Sequence, residues 1–175
     1  EYMESDKPFS YQALRFESKK LQVKKFKKMQ HTKEVLVSAI IADNEAASVE
    51  KCINNLGVKA KIKKYVHFEI ALEDGLEIED VLSTDTLFNP SKEYITELVK
   101  DGNIHRFLVC NKDDVHGQSI TQTLRDRFDL KGLESVKKSV LWEIKINSNS
   151  TKKDVDLILN SHIFSNPVSQ ECHEY

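Results

Sequence analysis

A nucleophilic cysteine needs a base within reach and an electropositive, accessible setting that favours the thiolate. Of Cys52, Cys110 and Cys172, Cys110 is the candidate, with His105 before it and Lys112 after it at the end of an apolar run. None of the three stands in a CxxC spacing and Cys52 falls inside an apolar helical pattern, so all three read as free thiols of a reducing compartment. His162, Cys172 and His173 are metal-ligating types in one region. Neighbouring residues of a strand point to opposite faces, however, and the spacing fits no zinc template, so they read as polar residues near a chain end. Glu69 and Glu143 are a tempting carboxylate pair, because each sits in the same place of two similar segments. Phe68, Ile70, Trp142 and Ile144 claim the buried face beside them, so both glutamates are expected to face solvent or lysines such as Lys64 and Lys138.

Phosphate chemistry would call for a glycine-rich cradle, and the five glycines of the chain are scattered singly. Lysines do cluster: Lys19, Lys20, Lys24, Lys25, Lys27 and Lys28 crowd one short stretch. Such a run reads as a solvated face, with a phosphate or RNA contact as the sharper alternative. The net charge of −2 leaves the remainder acidic, so the body is not a nucleic-acid binder by charge. No apolar run approaches the roughly 18 residues needed to cross a bilayer, and no signal-peptide core follows the early charges, which predicts a cytoplasmic protein without membrane contact. The chain opens on Glu1 and is read as an excised piece of something longer.

The elements that would position these residues come in two sets. Lys64-Tyr65-Val66-His67-Phe68-Glu69-Ile70 returns as Lys138-Ser139-Val140-Leu141-Trp142-Glu143-Ile144, at an offset of 143 − 69 = 74, and each copy leads through a helical stretch to an Asn-Pro, Asn89-Pro90 and Asn166-Pro167. A unit of that length is the size of a small α+β module rather than a solenoid repeat. At 175 residues, 39% hydrophobic and 31% charged, the chain can hold two such modules. We divide it into a basic extension over 1–33, a first module over 34–100 and a second over 104–175.

In the extension, Tyr11, Leu14, Leu21 and Val23 to Phe26 suggest an amphipathic helix, while Leu14-Arg15-Phe16 alternates like a strand. The first module opens with the β-branched run Val35 to Ile41. Asp43 or Asn44 then caps a helix through Val49, Ile53 and Leu56, which Gly57 stops. Two strands follow, Ala60 to Lys63 and Tyr65 to Leu72, then a helix through Ile78, Val81 and Leu82, and a closing strand Tyr94 to Val99. The second module repeats the order with Phe107 to Cys110, a helix from Gly117 to Phe128, strands Leu133 to Lys137 and Val140 to Ile146, and a helix through Val155, Ile158 and Leu159 opened near Ser150. Both therefore predict βαββαβ, a ferredoxin-like sandwich with helices on one face of an antiparallel sheet, the two modules meeting through their exposed second faces as an intrachain pseudo-dimer. Phe68 and Trp142 are expected in the core, and neither half is expected to be stable alone.

Set in this order, the residues resemble the PurS subunit of phosphoribosylformylglycinamidine synthase. Asn111 to Ile120 is similar to that family's passage from first strand through a turn into first helix. Ser135 to Ile144 is similar to its central strands, and Ile163-Phe164-Ser165-Asn166-Pro167-Val168 to its asparagine-proline-valine ending. The first module keeps Lys64 to Ile70 and Leu87-Phe88-Asn89-Pro90, has Ala46 where the second has Gly117, and neither copy has the family's early-turn proline. The resemblance implies a tandem PurS-like unit, without a catalytic site, cofactor or metal of its own, that joins a PurL-like synthetase and a PurQ-like glutaminase in purine biosynthesis. ATP, magnesium and glutamine would be used by those partners. It also implies an interface drawn from Lys64, Tyr65, Lys138 and Trp142, from His116 and Gly117, and from Asn89, Pro90, Asn166 and Pro167, with a further homo-oligomer conceivable. A regulatory sensor that binds an amino acid between paired modules is the alternative reading of the same architecture.

Overall fold

Asp43 accepts hydrogen bonds from the backbone N–H groups of Glu45 and Ala46 and so starts α1 (Asn44–Asn55), while Gly57, at φ 91°, supplies the left-handed residue that ends it. Asp114 starts α3 (Val115–Arg127) in the same way by accepting from Gly117 N, and Asp129, at φ 55°, follows its end. These helices belong to a computed structural model that describes residues 21–29, 31–147 and 152–175. The remaining elements are β1 (Val23–Lys25), β2 (Thr32–Ala39), β3 (Ala60–Leu72), α2 (Ile78–Leu82), β4 (Glu93–Thr96), β5 (Ile104–Asn111), β6 (Leu133–Ile146), α4 (Lys152–Asn160) and β7 (Gln170–Glu174). The fold is α+β: the described residues form four helices on a seven-stranded sheet of order β1-β7-β5-β6-β3-β2-β4.

Several expectations are corrected by this arrangement. Each half has three strands, because Ala60 to Leu72 and Leu133 to Ile146 are single long strands rather than two short ones. Lys63-Lys64 offers no turn residue, and the inward parity of Ala60, Ile62, Val66, Phe68 and Ile70 runs through without a break. The halves also meet edge to edge, not face to face. β3 and β6 pair antiparallel from Ala60 opposite Ile146 to Leu72 opposite Leu133, with one irregularity at Ala71/Leu72. Val66 lies opposite Val140, so the ladder is centred on two residues separated by the repeat offset, 140 − 66 = 74.

The lysine-rich segment around Val23 is a strand, not the expected helix. β1 pairs parallel with β7, and Phe26 N donates to Glu174 O at 2.8 Å. Backbone groups at the outer edge of β7 thereby gain partners, which outweighs the helical pattern of a short segment. Tyr11 and Leu14 lie outside the described residues, as does Ser150. β4 is shorter than the expected Tyr94 to Val99, and α3 starts two residues before Gly117.

Long central strands outrun their outer neighbours. β2 covers β3 only from Val66 to Ala71, and β5 covers β6 only from Ser139 to Lys145. Helix side chains satisfy the remaining edges: Ile62 N donates to Glu50 Oε2 at 3.0 Å, Val136 N to Thr121 Oγ1 at 2.9 Å and Lys138 N to Asp114 Oδ2 at 2.8 Å. Glu50 and Thr121 hold equivalent helix positions, since 121 − 50 = 71 and the caps give 114 − 43 = 71.

α1 and α3 each enter the other half's core, while α2 and α4 stay in the core of their own half. One core gathers Val49 and Ile53 of α1 with Ile158 of α4, Phe107 of β5 and Trp142 and Ile144 of β6; the other gathers Val81 of α2 with Leu124 of α3, Val35 of β2 and Phe68 and Ile70 of β3. Phe68 and Trp142 are buried as expected, at 1% and 3% exposure. Neither core can form from one half alone.

Candidate functional site

On the face away from the helices, Leu36, Leu108 and Leu141 form a small seam covered by Phe26, Leu98 and Tyr65. This cover explains why Glu69 and Glu143, expected to face solvent, are buried, each 7% exposed. The Nε and Nη2 groups of Arg106 both lie 2.9 Å from Glu143 Oε2, and Nη2 also donates to Val99 O in the segment before β5. Burial first, and the Glu143 carboxylate second, push the Tyr65 hydroxyl above its ordinary pKa. Glu69 lies opposite Lys137 in the ladder. Lys64 does not reach either glutamate; it pairs with Glu45 and, at 3.8 Å, with Asp43, and its ammonium stands 6.0 Å from the Trp142 ring centroid.

A second cluster pins Phe26, next to β1, and Tyr175, after β7, to this face. His67, 1% exposed, has Nε2 2.8 Å from Glu34 Oε1, which also accepts from the Tyr175 hydroxyl at 3.1 Å. Phe26 stacks on Tyr175 at 5.2 Å and meets His67 edge-on at 5.8 Å. Burial, then the Glu34 carboxylate, push the Tyr175 hydroxyl up to about 12. The contacts are those of a clasp, and they hold β1 and β7 over the seam.

The cysteine and histidine candidates do not assemble into a reactive group. Burial raises the Cys110 thiol above its ordinary pKa although it accepts from Ser139 Oγ at 3.1 Å, and it pushes Cys172 up to about 12, so both are held as thiols near neutrality. Cys172 is in the core, whereas His173 lies on the other face, 3.4 Å from Glu171 Oε2. Among the described residues no group of three His, Cys, Asp or Glu could hold a metal ion.

The expected interface residues divide. Trp142 and Gly117 are buried and cannot meet a partner; Gly117 packs so closely that a Cβ there would lie 2.4 Å from Val136 O. Asn89 and Asn166 are exposed but make matched turns: Asn89 N donates to Glu93 Oε2 at 2.9 Å and Asn166 N to Gln170 Oε1 at 2.8 Å, while the side-chain oxygens accept from Ser91 N and Val168 N at 3.0 Å. These are Asx-turns that aim the last strand of each half. Pro90 and His116 are exposed, and Pro167, Tyr65, Lys64 and Lys138 are half-buried.

A surface fit for a partner lies where the sequence did not point. A concavity of about 930 Å³ opens beside the uncovered half of β3, between α1, the end of β2 and β4. Ile40, Ile41, Tyr94 and Val99 line it, exposed at 57%, 77%, 48% and 73%. β4 is the last strand of the sheet on this side, so its outer edge is unpaired among the described residues. The signal was present in Ile40 and Ile41, two apolar residues that continue past the end of the strand they follow. No helix among the described residues is long and apolar enough to cross a membrane. Neither a scan against protein-family models nor a search of curated proteins finds a match to this chain.

Proposed function

We propose that the two halves are duplicated PurS-like modules related by an approximate twofold axis through Val66 and Val140, and that the chain is the non-catalytic assembly unit of phosphoribosylformylglycinamidine synthase. The observation that carries this reading is the self-consistent register: residues separated by the repeat offset face each other at the centre of β3 and β6. A symmetric dimer of single modules would pair its two central strands in this way. Matched edge hydrogen bonds accepted by Glu50 and Thr121, and matched turns at Asn89 and Asn166, support the same duplication.

The unit's task is then to hold an ATP-dependent synthetase and a glutaminase together. The exposed rim of Ile40, Ile41, Tyr94 and Val99 beside the free edge of β4 is the surface best suited to one of them, because an open strand edge flanked by apolar side chains offers both backbone and hydrophobic contacts. Co-purification tests it. The chain, mixed with both subunits of its own cell in the presence of glutamine and ADP, is expected to be retained, and Ile41→Glu with Val99→Glu is expected to release one subunit while circular dichroism stays unchanged. Retention of neither subunit removes the proposal; stabilisation by a single amino acid in a thermal panel would replace it with the sensor reading.

A further inference from the structure

The uncovered halves of β3 and β6 each border a concavity, and the two differ in charge. Beside β6 the space is about 460 Å³ and is lined by Lys24, Lys25 and Lys27 from the first described segment, Lys112 after β5, and Lys137 and Lys138 of β6. Three stretches far apart in sequence thus bring six lysines to the lining of one concavity. Lys24 pairs with Glu171 at 3.5 Å. Among the described residues, Lys112 Nζ donates to the carbonyls of Pro167 and Val168, at 3.2 and 2.9 Å, and Lys137 Nζ meets Met29 Sδ at 3.2 Å. Among the described residues none of Lys25, Lys27, Lys112, Lys137 and Lys138 forms an ion pair.

The counterpart in the first half shows that the fold does not require this. Lys64 corresponds to Lys138, since 138 − 64 = 74, and it is neutralised by Asp43 and Glu45. In the second half Asp114 spends its oxygens on Gly117 N and Lys138 N, and the position of Glu45 is taken by His116, since 116 − 45 = 71. Ile40 likewise gives way to Lys112, since 112 − 40 = 72. That scaffold position keeps one carboxylate, Asp114, loses the other to His116 and gains a cation at Lys112. Three carboxylates also line the space, and each is engaged: Glu69 is buried opposite Lys137, Asp114 accepts from two backbone N–H groups, and Glu171 is shared by Lys24 and His173.

We infer that this concavity binds a small phosphorylated molecule, its phosphate among Lys112, Lys137 and Lys138 and its body against the apolar wall of Phe26, Met29 and Leu108. Unpaired ammonium groups at close quarters are costly unless an anion joins them, and lysine is a ready phosphate binder through its compact charge. The volume falls in the range of small-molecule sites, and the mixture of apolar wall and convergent charge is what such sites share. The inference is independent of the assembly role.

Titration calorimetry of the full chain with pyrophosphate and with ribose 5-phosphate, against sodium chloride at matched ionic strength, tests it. The expected result is saturable binding of one ligand per chain, weakened about tenfold or more by Lys112→Gln with Lys138→Gln. The paired control Lys131→Gln with Lys153→Gln removes the same charge elsewhere and is expected to leave binding unchanged. Because the Asp114 bond is made by the backbone of Lys138, the variant keeps it, and an unchanged melting temperature without ligand verifies the fold. Heats no larger than those of sodium chloride overturn the inference. So does equal weakening by both pairs, or a stoichiometry that grows with the length of an added RNA, which would mark diffuse charge rather than a site.

Discussion

Val66 and Val140 lie directly opposite each other at the middle of the β3–β6 ladder, and each packs its side chain at the rim of a different core. That ladder joins the two central strands, β1 adds a parallel pairing with β7, and α1 and α3 carry the mixing further by each entering the other half's core. A chain cut between residues 103 and 104 therefore leaves two fragments that each lack part of both cores. Each fragment alone is expected to unfold without a cooperative transition, and an equimolar mixture to regain one, as read by urea titration followed by far-ultraviolet circular dichroism. Cooperative unfolding of either fragment by itself would show that the cores are separable.

Gly117 and Ala46 occupy equivalent positions but tolerate different substitutions. A Cβ on Gly117 would lie 2.1 Å from Asp114 Oδ2 and 2.4 Å from Val136 O, and a backbone carbonyl cannot swing aside. Gly117→Ala is expected to destabilise by about 1–3 kcal/mol through overpacking, despite alanine's better helix propensity. Ala46→Gly is expected to cost only about 1 kcal/mol, mostly propensity. Chemical denaturation of the two variants compares them; stabilisation by Gly117→Ala would mean that the helix and strand are not in contact there.

Local signals carried much of this fold. The caps at Asp43 and the stop at Gly57, the helix through Val81 and the cores at Phe68 and Trp142 follow from spacing and residue type alone. The fusion of Ala60 to Leu72 into one strand was also written in its unbroken parity, but the expected four-strand module obscured it. Long-range pairing was not legible. No residue of β3 announces that its free edge meets β6, nor does Val23-Lys24-Lys25 announce that a helical pattern will yield to the open edge of β7. Glu143 read as a surface residue because its solvent was displaced by segments distant in sequence, Arg106 and Val99 among them.

Glu50 ties pH to the edge of β3. Its carboxylate accepts from Ile62 N and pairs with Lys61 at 3.0 Å, and these two contacts, the backbone one first, hold its pKa below the usual glutamate value. A folded pKa lower than the unfolded one gives stability that is fully present above the unfolded value and is lost as pH falls through the folded one. Glu50→Gln, which keeps an acceptor for Ile62 N, is therefore expected to match the parent at acidic pH and to fall below it near neutrality. Parallel stability curves across pH 3–7 would refute the linkage.

Thiol labelling should sort the cysteines by burial. Cys52 is exposed, whereas Cys110 is half-buried with a raised pKa and Cys172 is buried with a pKa pushed up to about 12. A thiol-specific reagent at neutral pH is expected to modify one cysteine rapidly, and the other two only at the rate of opening. Replacing Cys52 by Ser should abolish the fast phase; rapid labelling of Cys172 would contradict its place in the core.

Arg106 joins the inner glutamate to the segment between the halves. Its guanidinium is the ion-pair partner of Glu143, and the same group donates to Val99 O, so one side chain both neutralises a buried carboxylate and fastens residues 97–103. Arg106→Met would leave Glu143 buried beside Tyr65 without its cation, at a cost of about 3–5 kcal/mol. Adding Glu143→Met to that variant is expected to restore most of the loss, because an apolar pair of similar volume removes the stranded charge. The connecting segment should behave differently: it loses its tie in either variant, so limited proteolysis between Glu97 and Asn103 is expected to quicken in both the single and the double mutant. If the double mutant resisted protease like the parent while regaining stability, the tie to Val99 would contribute nothing, and Arg106 would act through Glu143 alone.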